Sequence, residues 1–462
     1  MMRYTLENLW RARTVGQALC RGALCARPPR PPCCNVFIVF GGPKGHHDRL
    51  KACGGIAGLL LAFLFCLAVC AAQRSPLEEA WSLLAKGQRP QAIHVLEEII
   101  KANPGDADAR LLLGSVFQEE GDRAGAIAQL TEAVRLRPRS AEAQNALGEA
   151  FNAFADPAAA RPLFEKAVAL DPGLAPAHLN LGAILAQNGE SAPAALHLDR
   201  AIALLSRKPD QNQDLAYARY LRAKVYTGQG DIPKAAAQLQ QAVSLRPDLA
   251  EAWSDLGVAR KTLLDDNGAL TAFERAVSLA PDDAVAQTRL GSEYLDQGKA
   301  HLAVAHLQEA ARLDPQNQSA LYSLQRALRE DGQAEQADAV KQKLAELLRA
   351  RDKADQNQVD GIQLNNQGAE LEKAGNLLGA LEKYRAAAAL LPDHMGIRVN
   401  FAIALLRLGH WQQGLAELRE AVRREPDNAL WKATLDDALA QAPVEFGGQG
   451  QAAKAHKPGI KY

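Results

Sequence analysis

The 34 residues ADARLLLGSVFQEEGDRAGAIAQLTEAVRLRPRS at 107–140 are followed by 34 more, AEAQNALGEAFNAFADPAAARPLFEKAVALDPGL, at 141–174. Small residues and a proline recur at the same places in both stretches: Gly114 and Gly148, Ala126 and Ala160, Pro138 and Pro172. Self-similarity at a fixed period of this length is typical of proteins built from stacked supersecondary units. The sequence therefore predicts a repeat architecture, with which the rest of the chain can be compared.

The proline of this period extends the repeat over most of the chain. Its spacing is 34 residues within each of three sets, and the sets are separated by 75 and 77 residues. When this proline is numbered position 32, ten repeats begin at Gln73, Ala107, Ala141, Ala175, Ala216, Ala250, Ala284, Gln318, Gly361 and Met395.

Five further positions agree across the ten repeats. Position 8 is Gly in six, position 15 is Gly in eight, position 20 is Ala in nine, position 27 is Ala in eight, and position 24 is large and apolar in nine. Glycine inside a helix costs about 0.5–1 kcal/mol relative to alanine, so we expect positions 8 and 20 to mark the closest approach of two antiparallel helices. Position 15 suits a left-handed residue that ends the first helix. Position 32 is expected to start the next first helix, and positions 24 and 27 to pack against the following repeat.

These columns resemble the tetratricopeptide repeat family over about residues 73–428. The resemblance implies an all-α fold, a right-handed superhelical solenoid of antiparallel helix pairs whose concave groove is lined by the first helices. One pair cannot bury its apolar face alone, so the repeats must stack. Residues 429–441 are predicted to form an amphipathic capping helix, and the Gly- and Lys-containing residues 442–462 to be disordered.

Two insertions interrupt the period, at 209–215 and 352–360, after repeats that lack proline at position 32. We expect the second helices of repeats 4 and 8 to continue before the chain turns. The insertions are either functional hinges or tolerated loop growth, which costs little free energy. The array therefore divides into repeats 1–4 over 73–208, repeats 5–8 with their leading insertion over 209–351, and an insertion with repeats 9–10 over 352–428.

Residues 49–72 have the arrangement of a secretory signal peptide. Arg49 and Lys51 precede the uncharged stretch GGIAGLLLAFLFCLAVCAA, which ends in small residues. The alternatives are cleavage near Ala71, an uncleaved anchor, and lipidation at Cys70. Residues 1–48 fit no such pattern, so they are either a disordered extension or lie upstream of a translation start near residue 50. We expect an exported chain, periplasmic or extracellular, or anchored to the envelope by residues 52–72.

Charge and cysteine content restrict the partners. The first 72 residues hold nine Lys or Arg and two acidic residues, which leaves the rest with a net charge of −7, a poor match for nucleic acid. All seven cysteines lie within the first 70 residues, so the repeats can form no disulfide or thiolate metal site. We expect a protein or peptide partner, no nucleic acid, and membrane contact only through the N-terminal segment if it is retained.

No pattern in the sequence predicts catalysis, a cofactor or a metal. His301 and His306 are five residues apart and diverge by about 140° on a helix, so they cannot share a metal ion. The chain has no HExxH pair and no glycine-rich phosphate loop that ends in Lys and Ser or Thr. The sequence therefore predicts a protein that is not an enzyme.

The resemblance also implies that positions 2, 5, 6, 9, 12 and 13 tend to face the groove. Repeats of the O-linked sugar transferase type use asparagine at position 6 to hold an extended peptide, because an amide both donates and accepts hydrogen bonds. Here only three repeats carry it, so a continuous ladder is doubtful, and asparagine can also be incidental to the repeat. The candidates are Asn180, Asn366 and Asn400, with Asp255 at the same position, Asn145 one position earlier, and Trp81 at position 9 of repeat 1.

Together these features predict a non-catalytic scaffold or adaptor that holds a peptide or partner protein in its groove, outside the cytoplasm or at the cell envelope. The alternatives are an assembly factor of an envelope secretion, pilus or outer-membrane complex, and an accessory substrate-binding subunit of a glycosyltransferase. The fold hosts many partners and does not choose among them.

Overall fold

The computed structural model describes residues 75–208 and 211–443, which form twenty α-helices and no strand. The predicted extension 1–48, the signal or anchor segment 49–72, and residues 444–462 of the predicted tail lie outside the described residues. Contacts divide the chain into an N-terminal body that ends at Pro281 and a C-terminal body that begins at Asp282. This boundary follows repeat 6, and the grouping into four, four and two repeats stays a prediction.

The N-terminal body confirms the all-α solenoid of helix pairs. Each first helix packs against the second helix of its own repeat, and within the body each second helix but the last packs against the following first helix. Its helices, alternately first and second, are α1 Pro76–Ala85, α2 Arg89–Ala102, α3 Ala107–Glu120, α4 Arg123–Leu136, α5 Ala141–Ala153, α6 Pro157–Leu170, α7 Ala175–Gln187, α8 Ser191–Leu205, α9 Asn212–Gly228, α10 Ile232–Leu245, α11 Ala250–Thr262 and α12 Asp266–Leu279.

The C-terminal body is built in the same way, except that one helix belongs to two repeats. The last described helix packs against the second helix of repeat 10. The helices of this body are α13 Ala284–Asp296, α14 Ala300–Leu313, α15 Gln318–Glu330, α16 Ala334–Lys373, α17 Leu377–Leu390, α18 Met395–Arg407, α19 Trp411–Arg424 and α20 Ala429–Gln441.

The period predicted where the first helices begin. N-cap residues explain why the helices begin there. The side chains of Asp106 and Ser140 accept hydrogen bonds from the N–H groups of Ala109 and Ala143. In seven repeats the helix begins at the predicted first residue: Ala107, Ala141, Ala175, Ala250, Ala284, Gln318 and Met395.

Position 15 adopts the left-handed conformation in all ten repeats, as the sequence predicted for its glycines. The eight glycines have φ between 72° and 83°. The other two repeats place Ala155 and Leu264 there, with φ of 60° and 62°. Among the described residues these are the only non-glycine residues with positive φ. The turn between the two helices therefore fixes this conformation even where the side chain opposes it.

We expect Leu264→Gly to stabilise the N-terminal body by about 1 kcal/mol. A non-glycine residue in this conformation carries about 1–2 kcal/mol of strain, and the extra freedom of glycine in the unfolded chain offsets part of the gain. Leu264 is 87% exposed, so little packing is lost. Chemical denaturation of the purified chain measures the change.

The matched control is Leu196→Gly, at a residue that is 68% exposed inside the regular helix α8. There the same replacement should destabilise by about 1 kcal/mol, because glycine weakens a helix interior. Destabilisation by both variants would contradict the strain at Leu264.

The repeat's proline does not start the next first helix, so that expectation was wrong. Pro104 follows the end of α2 at Ala102 and precedes the start of α3 at Ala107. At seven of the eight prolines the N–H of position 34 donates to the carbonyl of position 31, as Asp106 does to Asn103 at 3.0 Å. The proline is thus the second residue of a β-turn, where its fixed φ fits and its missing N–H cannot extend the helix.

Glycine at position 8 makes room for the large side chain at position 24 of the same repeat. A Cβ on Gly148 would lie 2.7 Å from the ring of Phe164, and one on Gly182 would lie 2.8 Å from Leu198. All six glycines have this relation to position 24. The expected close approach of positions 8 and 20 is confirmed, because a Cβ on Gly414, at position 20 of repeat 10, would lie 3.0 Å from the carbonyl oxygen of Ala402 at position 8. The side chain at position 24 comes closer to the six glycines than the alanine at position 20 does. That alanine is fully buried in nine repeats.

The insertion after repeat 4 does not lengthen the second helix as expected. Helix α8 ends at Leu205, close to the usual length, while α9 begins at Asn212 instead of Ala216. Residues 212–215 of the insertion therefore extend the first helix of repeat 5 at its start.

The insertion after repeat 8 is helical throughout, so the chain does not turn there. Helix α16 runs from Ala334 to Lys373, and its two halves are the second helix of repeat 8 and the first helix of repeat 9. No proline interrupts it, and its 40 residues extend about 60 Å. No helix in 75–208 or 211–443 combines the length and apolar character needed to cross a bilayer.

Candidate partner-binding surface

Several first helices of neighbouring repeats contact one another directly. This holds for α3 with α5, α5 with α7, α7 with α9, and α13 with α15. The side of these helices that carries positions 2, 5, 6, 9, 12 and 13 is called the first-helix face below. Polar side chains at positions 5 and 6 of neighbouring repeats meet on this face.

Asn145 and Asn180 are brought together by the stacking of α5 and α7. The Nδ2 of Asn180 donates to Oδ1 of Asn145 at 3.1 Å and to Oε1 of Glu149 at 2.9 Å. The Nδ2 of Asn145 donates to the same carboxyl oxygen at 3.0 Å. Two candidates that are 35 residues apart in the sequence therefore form one cluster with a carboxyl group.

Burial raises the pKa of Glu149, and the two asparagine hydrogen bonds oppose this rise. A carboxyl that retains its proton at higher pH can donate as well as accept. The cluster thus combines amide donors and acceptors with a carboxyl group that burial makes harder to ionise.

The same relation between positions 5 and 6 occurs twice more. The Nδ2 of Asn400 in α18 donates to Oδ1 of Asn365 in α16 at 3.0 Å. Tyr220 in α9 forms a side-chain hydrogen bond with Asp255 in α11, and burial is the main cause of the raised pKa of this tyrosine. Four of the six predicted residues therefore take part in hydrogen bonds between neighbouring first helices.

Asn366 and Trp81 lie apart from these pairs. Asn366 is exposed and lines an open groove of about 860 Å³ beside Val359, Ile362 and Leu371. Trp81 is partly buried and packs against the apolar cluster that contains Leu77 and Leu96. Trp81 contributes to packing, whereas Asn366 is free to contact a partner. The binding role of all six residues stays a prediction.

Sequence reasoning missed three members of this surface, namely Glu149, Tyr220 and Asn365. A signal was present, since position 5 of one repeat and position 6 of the next are 35 residues apart whenever the period is regular. A comparison of one repeat position at a time does not reveal such a pair, because its two residues occupy different positions of the repeat. Glu149 is at position 9, one helical turn after Asn145.

No group of three or more His, Cys, Asp or Glu side chains in the described part of the chain is placed to hold a metal ion. His301 is exposed, and the ring of His306 lies 2.8 Å from the amide oxygen of Gln287. The polar groups of the first-helix face described above hydrogen-bond with one another.

Four family models match the chain, and all describe the same repeat. Models described as tetratricopeptide repeat match residues 83–150 and 371–441, residues 153–211 and residues 284–317, and a model described as TPR repeat matches residues 223–263. Together they cover more than half of the chain, in both bodies.

Solved structures of bacterial proteins match parts of the chain. PilF of Pseudomonas aeruginosa is 18% identical over 46% of this chain and 94% of its own, with a TM-score of 0.43. A tetratricopeptide repeat protein of Parabacteroides merdae is 14% identical over 55% and 97%, with a TM-score of 0.40. MamA of Desulfovibrio magneticus is 22% identical over 38% and 97%, with a TM-score of 0.34. No curated protein matches the chain significantly.

Proposed function

The chain belongs to the tetratricopeptide repeat family, whose repeats indicate a protein–protein interaction scaffold, and we propose that it holds an extended peptide segment of a partner along its first-helix face. The observation that carries this proposal is the pairing of polar side chains at positions 5 and 6, between α5 and α7, α9 and α11, and α16 and α18. Each pair fixes the orientation of its side chains before a ligand binds. Fixed side chains lose less conformational entropy on binding.

The chemistry of the Asn145–Glu149–Asn180 cluster suits a peptide backbone. Asn180 uses its Nδ2 within the cluster, and its Oδ1 accepts no hydrogen bond from the described residues. That oxygen can accept a peptide N–H, while the remaining oxygen of Glu149 can receive or donate a hydrogen bond. Recognition through backbone groups tolerates many side chains.

The proposed role consists of binding and includes no catalytic step. The repeat itself supports a binding role, since its recurring glycine, alanine and proline residues are explained by helix packing and turns. The polar groups of the first-helix face are engaged with one another, and none is paired with a nucleophile.

We further propose that the chain acts outside the cytoplasm or at the cell envelope. The support is the order of basic, apolar and small residues in 49–72 together with the absence of cysteine after residue 70. Fractionation of cells that express the natural chain tests this proposal, and recovery of the chain only in the cytoplasm would oppose it.

Replacing Asn180 with a photo-cross-linking amino acid should capture the partner in envelope extracts, because the side chain faces the ligand. The same amino acid at Gln241, exposed on the second helix α10, should not capture it. For the captured partner, we expect Asn145→Ala with Asn180→Ala to raise the Kd about 10-fold or more, since each lost hydrogen bond contributes about 0.5–1.5 kcal/mol. Fluorescence anisotropy with a partner peptide measures this change.

Gln241→Ala is the control and should leave the Kd unchanged. Asn366→Ala with Asn400→Ala tests the same idea in the C-terminal body. If the partner bound all these variants equally well, the assignment of the first-helix face would be wrong.

A further inference from the structure

Because helix α16 is continuous, repeats 8 and 9 lack a helix–helix contact that neighbouring repeats make elsewhere within each body. Elsewhere a second helix packs against the first helix of the following repeat, for example α2 against α3, α14 against α15 and α17 against α18. At the junction of repeats 8 and 9 these two helices are the halves of one helix, so they cannot pack on each other. The outer side of each half lacks the neighbour that the repeat normally supplies.

Exposed apolar residues mark one side of this helix. Leu348 is 40% exposed, Val359 is 60% exposed and Ile362 is 41% exposed. They are 11 and 3 residues apart, about three turns and one turn, so they form a single stripe. Val359 and Ile362 open into the groove of about 860 Å³, which Glu370 and Lys383 also line.

We propose that two copies of the chain pair through antiparallel α16 helices, about a two-fold axis at the middle of the helix near residue 354. In this arrangement the second-helix half of each copy covers the first-helix half of the other. The exposed sides of both halves are thereby buried. The contact has the same geometry as that between a second helix and the following first helix within one chain. The proposal does not depend on the peptide-binding role of the N-terminal body, but a second copy seated here would also cover Asn366, which lines the same groove.

The register follows from the repeat. In other repeats the residue at position 24 of a second helix shares an apolar cluster with the residue at position 7 of the following first helix, as Leu130 does with Leu147 and Leu307 with Leu324. Applied to α16, this rule places Lys341 of one copy beside Gln367 of the other and within reach of Glu370. Leu348 then meets Val359 of the other copy, and the axis falls near residue 354, the centre of the helix.

Charge along α16 favours the antiparallel direction. Residues 341–353 contain five basic and two acidic residues, whereas residues 354–372 contain four acidic residues and no basic residue. Antiparallel pairing brings these oppositely charged segments together, and parallel pairing would oppose like charges. Polar residues replace apolar ones on both sides of the junction, Lys341 at position 24 and Gln367 at position 7.

We therefore expect a reversible dimer with a Kd in the micromolar range, which corresponds to a free energy of association of about −8 kcal/mol.

Two aspartates lie at the centre of the stripe. Asp352 and Asp355 follow Leu348 by four and seven residues, so they share its side of the helix. Four carboxylates therefore gather near the axis, with Arg351 and Lys353 beside them. Arg351 lies 3.9 Å from Asp355 within one chain. Because like charges repel, Asp352→Asn with Asp355→Asn should tighten the dimer.

Sedimentation equilibrium of the purified chain, at concentrations up to about 100 µM and well above a micromolar Kd, tests the proposal. We expect a concentration-dependent mass of two chains. Val359→Glu with Ile362→Glu should weaken pairing at least about 10-fold by placing charge in the apolar stripe. The control Leu378→Glu, at a residue that is 66% exposed on α17, should not weaken it.

Charge reversal separates pairing from folding. Lys341→Glu and Glu370→Lys should each weaken the dimer, and the two together should restore it, which a merely unfolded variant cannot do. A chain that stays monomeric at all concentrations would overturn the proposal. So would a dimer that Val359→Glu with Ile362→Glu leaves intact, or a double charge reversal that does not restore pairing.

Discussion

Asp214→Asn is expected to stabilise the N-terminal body by about 2–4 kcal/mol at pH 8, because the native aspartate has to be ionised there inside the protein. Asp214 lies in the first turn of α9, is only 4% exposed, and is placed there by the early start of that helix. Burial raises its pKa to about 7, although Arg246 acts in the opposite direction. Asparagine keeps the size of the side chain and removes the buried charge.

The pH dependence gives the sign of this effect. The folded chain binds the proton of Asp214 more tightly than the unfolded chain, in which an aspartate has a pKa of about 3.9. The stabilisation that this tighter proton binding provides is therefore fully present below about pH 4 and is lost as the pH rises to about 7. Urea denaturation between pH 4 and 8 should show this loss in the native chain and its removal in Asp214→Asn.

The control for this prediction is Asp248→Asn. Asp248 also lies near Arg246, at 3.5 Å, but its side chain is 76% exposed. Its replacement should leave the pH dependence as it is in the native chain. Equal pH profiles for the native chain and Asp214→Asn would contradict the buried carboxylate.

Gly257→Ala should destabilise the N-terminal body by about 2–3 kcal/mol, at the upper end of the range for overpacking. A Cβ at this position would clash with Cε1 of Phe273 and lie 2.5 Å from Cδ1 of the same ring. The ring of Phe273 is 2% exposed, so it has no free space to move into. Thermal and urea denaturation measure the effect.

Gly228→Ala is the matched control, because Gly228 is also helical and a Cβ there would meet nothing within 4 Å. That replacement should be neutral or stabilise by up to about 1 kcal/mol, as expected for alanine in a helix. Phe273→Ala should make Gly257→Ala much less harmful, which a double-mutant cycle would show as coupling. If Gly257→Ala cost the same in both backgrounds, the contact between positions 8 and 24 would not explain the glycine.

Much of the surface that carries the proposed function could be found in the sequence, but its connections could not. Asn145, Asn180, Asp255 and Asn400 were predicted singly from their positions. Their hydrogen bonds join neighbouring first helices, so the partners depend on how two repeats stack. The burial that raises the pKa of Glu149 likewise comes from both helices at once.

Helix α16 shows a signal that the sequence contained and the repeat numbering obscured. In most other repeats positions 3 and 7 of the first helix are apolar, as with Ala143 and Leu147, which are both buried. Repeat 9 has Gln363 and Gln367 there, which suits a first helix without a preceding repeat packed against it. Position 24 of repeat 8 is Lys341 instead of a large apolar residue. Together these residues indicate an interrupted junction.

The sequence by itself determined the helix pairs, their order and most of their starting residues, because N-caps, left-handed glycines and turn prolines act within a few residues of where they stand. Only the tertiary structure decided which side chains meet: Gly257 with Phe273, Asn180 with Asn145, and the buried surroundings of Asp214. It also imposed a left-handed conformation on Ala155 and Leu264. Packing between helices supplies more free energy than one strained residue costs, so the repeat geometry prevails over local preference.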